Sequence, residues 1–518
     1  MSRQYELDDS SVVVVVGSGA GGGVLSAALS GQGVDVVCLE AGPRLSLSDF
    51  INDEALMFRK LTWLDPREGS GDLNPGLPAY ICKTVGGTTV HWTALAMRPL
   101  ADEFRPLSKY GAIAAANLMD WPIPYRALEP YFAKAEFLMG VAGTHGWPYH
   151  PGSNNYKVLE AGARRVGYRA VDMGHLAINS VARDGRPKCR QIGFCKSGCA
   201  IGAKWSTLYT EIPKAEATGH FELRPESMVV RLVNDASGRI TGVVYASRDG
   251  SLHEQKARTV CIAANSIETP RLLLNSTSPL YPDGIGNGNG HVGRHYMRHV
   301  FAGVAALMPG AVNFHRGIQQ AGSVSDERYH QPGRGFASGY HIEGAPLSPE
   351  RLAFVLDPEG WGREYSKLLE NYSNFAACLI VGEDLPDENN RVSLHATRKD
   401  RFGLPIPAIH YQYHENSLAM REHAQSAAES IYETVGAKRT FRFGAPPATH
   451  NLGTCRMAER DREGVCNPWG RVFGTKNLFV SDGSQFVSAT TANPTLTIVS
   501  LALRQADHLV QQLVRREQ

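Results

Sequence analysis

The sequence has no apolar run long enough to cross a bilayer, which takes about 20 predominantly apolar residues. Its longest apolar block near the start, Val12 to Val16, is short and β-branched and reads as a buried strand. The opening MSRQYELDDSS has neither the basic n-region nor the apolar h-region of a secretory signal. Charge of one sign is missing too. The 53 basic and 51 acidic residues leave a formal net charge of +2 with no long run of either sign. That balance excludes the concentrated positive surface that nucleic acid or an anionic membrane recruits. No internal repeat or low-complexity linker appears. The expectation is therefore a soluble polypeptide carrying no export signal of its own.

A disulfide framework is also absent. Six of the nine cysteines are scattered singly (Cys38, Cys82, Cys261, Cys378, Cys455, Cys466), and a buried neutral thiol accounts for each. The other three, Cys189, Cys195 and Cys199, cluster within one short loop.

What is present begins with length. At 518 residues, 43% apolar and 20% charged, the chain has the balance of a globular protein and room for two intertwined or successive domains. Residues 12–40 read VVVVVGSGAGGGVLSAALSGQGVDVVCLE. A β-branched strand leads into Gly17-x-Gly19-x-x-Gly22, then a small-residue helix to about Leu29, then a second strand from Val34 to Leu39 that ends in Glu40. Gly17 permits the tight turn, Gly19 lets the backbone approach a pyrophosphate, and Gly22 lets helix and strand pack closely. The helix N-terminus supplies free N–H groups for phosphate, and Glu40 can accept from a ribose diol. These parts in one stretch specify a dinucleotide unit, without separating NAD from FAD.

Three further segments carry a family resemblance. They are KTVGGTTVHWTALAMRP (83–99), AANSIETPRLLL (263–274) and the block from His450 to Thr497. With the glycine turn, in this order, they resemble the glucose–methanol–choline (GMC) oxidoreductases, FAD-dependent alcohol dehydrogenases and oxidases, over about residues 10–515. The resemblance implies that Gly17, Gly19, Gly22 and Glu40 hold the ADP half of FAD. It places Gly86, Gly87, Thr88 and His91 along the path from pyrophosphate to isoalloxazine, and Val229 at adenine. Asp482 falls near the flavin phosphate and ribityl, and Asn493-Pro494-Thr495 beneath the flavin ring. The helix that starts there can stabilise negative charge through its dipole. In some relatives the histidine matching His91 is bonded to the flavin; in others the same His-Trp pair occurs without the bond.

Oxidising an alcohol with a flavin needs a base for the hydroxyl proton, and histidine has a pKa near the working pH. His450, in ATHNLGTCRM, matches the family's catalytic histidine, and Asn493 matches a second position that is His or Asn among members. The expected roles are general base for His450 and hydrogen-bond donor to the substrate oxygen for Asn493. Non-enzymatic flavin binding leaves this pair without a purpose.

In the cysteine segment KCRQIGFCKSGCAIGAK, the spacing Cys-x5-Cys-x3-Cys admits several readings. Zinc wants a fourth ligand that is not nearby, and a disulfide leaves one thiol over. The segment resembles the catalytic subunit of bacterial FAD-dependent glucose dehydrogenases, which implies a [3Fe–4S] cluster on Cys189, Cys195 and Cys199. It further implies an outside electron acceptor (cytochrome or quinone) and a small subunit bearing the export signal. Residence would be cytoplasmic, or periplasmic if the chain is co-exported.

The expected fold is α/β, a Rossmann-type FAD domain from 10–100, 220–300 and 445–518. A discontinuous substrate domain from 101–219 and 301–444 would be built on an antiparallel sheet. The expected activity is oxidation of an alcohol group on a sugar, glycoside or polyol; an oxygen-using oxidase of aryl or lignin-type alcohols is the alternative.

Overall fold

The computed structural model describes residues 3–444 and 447–514. The flavin-domain piece expected over 445–518 thus includes 445–446 and 515–518, which lie outside the described residues. A five-stranded parallel sheet runs in the order Leu478–Val480, Thr259–Ile262, Val13–Val16, Val36–Leu39, Phe221–Arg224. All four residues of the central strand Val13–Val16 are buried. A strand covered on both faces has no reason to alternate, so its sequence is continuously apolar. The helix Ala20–Ser30 follows at once. The second strand begins at Val36 rather than Val34, because the Val34 N–H still bonds the Leu29 carbonyl at 3.2 Å and closes the end of that helix.

Against this stands a six-stranded antiparallel sheet, in the order Arg439–Phe443, Val300–Leu307, Phe375–Gly382, Tyr340–Gly344, Ser323–Val324, Val171–Asp172. The helices Glu415–Glu433 and Asn154–Arg165 back it. Two three-stranded sheets complete the frame. One is the meander Met228–Asn234, Ile240–Ala246, Leu252–Lys256; the other joins Arg391–Lys399 and Pro405–Tyr411 to Glu68–Gly71. The architecture is the expected one, an α/β nucleotide-binding layer joined to an antiparallel sheet.

One hydrophobic core reaches from Val13 and Leu25 through Phe132 and Trp205 to Val304 and Ile380, so the two main sheets share an interior. The helix Thr495–Val514 packs on Ala20–Ser30 and on Tyr125–Met139, holding its own first turn beside the glycine-rich turn. Among the described residues no helix is long and apolar enough to cross a membrane.

Candidate active site

A cavity of about 280 Å³ lies between the sheets. Its wall includes Gly17, Gly19, Glu40, Gly87, Thr88, His91, Val229, Asp482, Asn493, Pro494, Thr495 and His450, so these predicted residues converge on one space. Gly22 and Gly86 are not part of the wall. A Cβ on Gly22 would meet the Gly17 carbonyl oxygen at 2.0 Å, and one on Gly86 would meet Leu208 Cβ at 2.9 Å. Both glycines let neighbouring segments touch. Gly21, in the wall, is tighter still: a Cβ there would sit 1.7 Å from the Ser481 carbonyl oxygen.

The acids at this end are held by the protein's own donors. Glu40 accepts the Ser18 N–H at 3.0 Å and the Ser18 hydroxyl at 2.7 Å on one oxygen, and the Gly42 N–H at 3.0 Å on the other. Burial nevertheless pushes its carboxyl above the usual range. Asp482 accepts from the Asn265 N–H at 2.9 Å, the Thr269 hydroxyl at 2.6 Å and the Ser484 N–H at 2.8 Å, pinning the start of helix Asn265–Asn275. That helix carries a buried ion network. Glu268 bridges Arg67 at 2.7 Å and Arg271 at 3.0 Å, and Arg271 reaches Asp400 at 2.6 Å.

At the other end the chemistry rests on side chains. His450 lies 2.9 Å, Nδ1 to Nδ1, from His299. His299 Nε2 faces only carbonyl oxygens, of Ala489 at 3.1 Å and Thr490 at 2.9 Å, so it must donate. Burial lowers the His299 pKa to about 4, leaving its Nδ1 bare at neutral pH. His450 Nδ1 must then be the donor, which leaves His450 Nε2 unprotonated. This tautomer is assigned from the partners' chemistry. Burial, then the nearby His299 and His341, hold the His450 pKa well below its ordinary value, so the ring is neutral. Phe301 packs on His450 with ring centroids 5.0 Å apart and also lines the cavity.

Asn493 sits on a turn braced by two buried acids. Glu103 accepts the Thr491 N–H at 2.9 Å and Glu383 accepts the Thr490 N–H at 3.2 Å. Among the described residues Asn493 Oδ1 is buried with no protein partner, and so is His91 Nε2. The His91 ring stacks on Tyr80 at 4.1 Å. These orphaned polar atoms, set in a wall of close-approach glycines at a helix start, fit a bound dinucleotide.

Among the described residues no group of three or more His, Cys, Asp or Glu is gathered to hold a metal ion, so the structure lends no support to the [3Fe–4S] cluster expected on Cys189, Cys195 and Cys199, although the charges of Cys195 and Cys199 act on Cys189. All three thiols pack against the main core. Burial pushes the Cys189 thiol up to about 11 and raises that of Cys195. The loop is tied to the cofactor loop by the buried Lys204. Its Nζ donates to the carbonyls of Val90 at 2.8 Å, Trp92 at 2.7 Å and Cys195 at 2.5 Å.

Sequence reasoning missed His299, Phe301, Lys196 and Arg351, all of which belong to this region; the last three line the cavity. The two histidines are 151 positions apart, and no local motif marks the pairing.

Residues 21–301 and 386–502 match two family models, each described as GMC oxidoreductase. A 2-methyl-1,2-propanediol dehydrogenase of Mycolicibacterium austroafricanum is 31% identical, over 97% of this chain and 95% of the relative. The fructose dehydrogenase large subunit of Gluconobacter japonicus is 30% identical, over 97% of this chain and 98% of its own length. Among solved structures, a pyridoxine 4-oxidase from Mesorbium loti superposes with a TM-score of 0.68 at 18% identity, covering 96% of this chain and 99% of its own. That last likeness speaks for the fold.

Proposed function

Because this chain belongs to the GMC oxidoreductase family, an FAD-binding family with members acting on alcohols and sugars, we propose that it oxidises an alcohol group of a sugar, glycoside or polyol to a carbonyl. The observation that carries the reading is His450, paired through Nδ1 with His299, in the same cavity wall as Asn493; the tautomer assigned above leaves its Nε2 free to accept a proton. Gly17, Gly19, Glu40 and Val229 hold the ADP half of FAD. Gly87, Thr88, His91 and Asp482 hold its middle, and Asn493, Pro494 and Thr495 the ring. When bound, FAD accepts the hydride of the alcohol carbon.

His450 Nε2 takes the hydroxyl proton. The Asn493 amide N–H donates to the substrate oxygen and orients it, and the bare Asn493 Oδ1 offers an acceptor for a second hydroxyl. Phe301 and Leu379 exclude water from this end. His299 acts through His450 by fixing its tautomer, and is a positioning residue.

The dehydrogenase names of two relatives support delivery of the electrons to an outside acceptor. No step is routed through the cysteine loop. The large-subunit name of the Gluconobacter relative supports a second, smaller subunit here.

The test is anaerobic mixing of FAD-loaded protein with sugars and polyols. Alcohol-dependent bleaching of the flavin bands is expected, and absence of bleaching with every alcohol overturns the reading. H₂O₂ formed in air without added dye points to the oxidase instead. Iron analysis on the same preparation decides whether the cysteines hold a cluster.

A further inference from the structure

Three basic side chains line the cavity: Lys196, Arg271 and Arg351. Arg271 is fully engaged, by Glu268 and Asp400. The side chains of Lys196 and Arg351 form no hydrogen bond or ion pair among the described residues. They come from unrelated segments. Lys196 lies in the short turn Cys195–Ser197, whose position is fixed by its own backbone N–H on Gln319 Oε1 at 2.7 Å. Arg351 is carried by the helix Pro349–Leu356.

The two cations line the same cavity, and the charge of Arg351 acts on Lys196. The acids that face Lys196 are Glu54 and Glu343. Both are engaged elsewhere, Glu54 with Gln319 Nε2 at 2.9 Å and Glu343 with His341 Nε2 at 2.6 Å, and neither forms an ion pair with Lys196 or Arg351. Glu54 and Glu343 offset part of the repulsion between the two cations, and a bound anion relieves more of it together with the cost of their partial burial.

We propose that the cavity seats a substrate bearing a carboxylate or phosphate group, held between Lys196 and Arg351, in the chamber that also presents His450 and Asn493. This rests on the alcohol-oxidation reading and narrows its substrate class to acidic alcohols. A guanidinium grips such a group through two parallel N–H donors, and an ammonium adds a compact point charge.

The mounting of Arg351 suits capture. Its helix buries only Leu352, and the next helix, Gly362–Glu370, buries nothing. Phe354 and Trp361 on this hairpin are 68% and 89% exposed. The hairpin rests on the body through Leu352, Val355, Leu356 and Leu368, and an anion bridging Arg351 to Lys196 adds a further tie.

The test uses FAD-loaded protein and two readouts. Sulfate, titrated as the probe, is expected to perturb the flavin spectrum saturably, with a Kd about tenfold weaker in Lys196→Gln and in Arg351→Gln. Lys196→Arg should retain the binding, and Arg231→Gln, an exposed arginine elsewhere, serves as the control for general charge loss. Separately, anaerobic flavin reduction is compared for glycerol, glycerate and glycerol 3-phosphate, with no acceptor present. The preference for the acids over glycerol should fall about tenfold in both glutamine variants and weaken with added salt. Sulfate binding that is absent, or equal in all variants, overturns the inference and leaves alcohol oxidation standing. Sulfate binding that is lost in the variants while no alcohol reduces the flavin overturns alcohol oxidation and leaves the anion seat.

Discussion

The two ends of the cavity are built on different principles. At the nucleotide end the wall is backbone: Gly17, Gly19 and Gly21 bring the main chain close, and the acids Glu40 and Asp482 are already bonded by local N–H groups and hydroxyls. At the substrate end the wall is side chains from distant segments, and among the described residues Asn493 Oδ1 is buried without a partner while the Lys196 and Arg351 side chains form no ion pair. A site that must hold one invariant ligand is finished before that ligand arrives. The opposite end keeps polar groups in reserve for chemistry and recognition.

Substitutions at each end should therefore fail differently. The largest effect is expected from His450→Ala. Loss of a general base costs about 10²–10⁴-fold, read as the rate of anaerobic flavin reduction, with flavin content unchanged. If the flavin is lost along with the rate, the two ends are not separable. Next comes Glu268→Gln at the nucleotide end, which leaves Arg67 and Arg271 buried with too little negative charge between them. Breaking a buried ion pair costs about 3–5 kcal/mol, read by denaturant unfolding. A change below 1 kcal/mol would mean that Asp400 alone suffices for Arg271.

A smaller effect is expected from His299→Leu, which removes the acceptor that orients His450. The loss of one neutral hydrogen bond, about 0.5–1.5 kcal/mol, slows reduction about two- to tenfold; Asn at 299 should restore part of it.

The pH dependence sharpens the contrast further. The folded pKa of His450 is depressed, so the neutral base persists as pH falls below 6.5, and flavin reduction should stay level from pH 9 down past that value before declining. The same depression makes acid destabilising. Between pH 6.5 and about 4 the unfolded chain binds a proton at residue 299 that the folded state refuses, so stability present above 6.5 is lost as pH falls through that window. His299→Leu should flatten this loss.

The contrast also explains what could be read from sequence. The glycine turn, Glu40 and the strand Val13–Val16 are local features, each dictated by its neighbours in the chain, and they appear where expected. His450 and Asn493 carry recognisable surroundings and share the cavity. His299 does not announce itself. Its function depends on the carbonyls of residues 489 and 490, nearly 200 positions away, and on a left-handed backbone, φ +64°, that no motif marks. Lys196 hides beside Cys195, where the eye goes to the thiols. The resemblance, not the spacing, implied that the three cysteines would share a cluster. In the fold they pack on the core in a loop anchored by Lys204.

The order of the parallel sheet bears on how the protein comes into being. Its outer strand, Leu478–Val480, is made some 460 residues after the central strand, Val13–Val16, and Asp482 and Asn493 follow later still. A ribosome must have released the chain past Asn493 before the cavity wall is complete. Such long-range pairing is slow to form and leaves strand edges open meanwhile. Flavin capture is thus a closing event of biosynthesis, and cells short of flavin should accumulate full-length protein that is open to proteases.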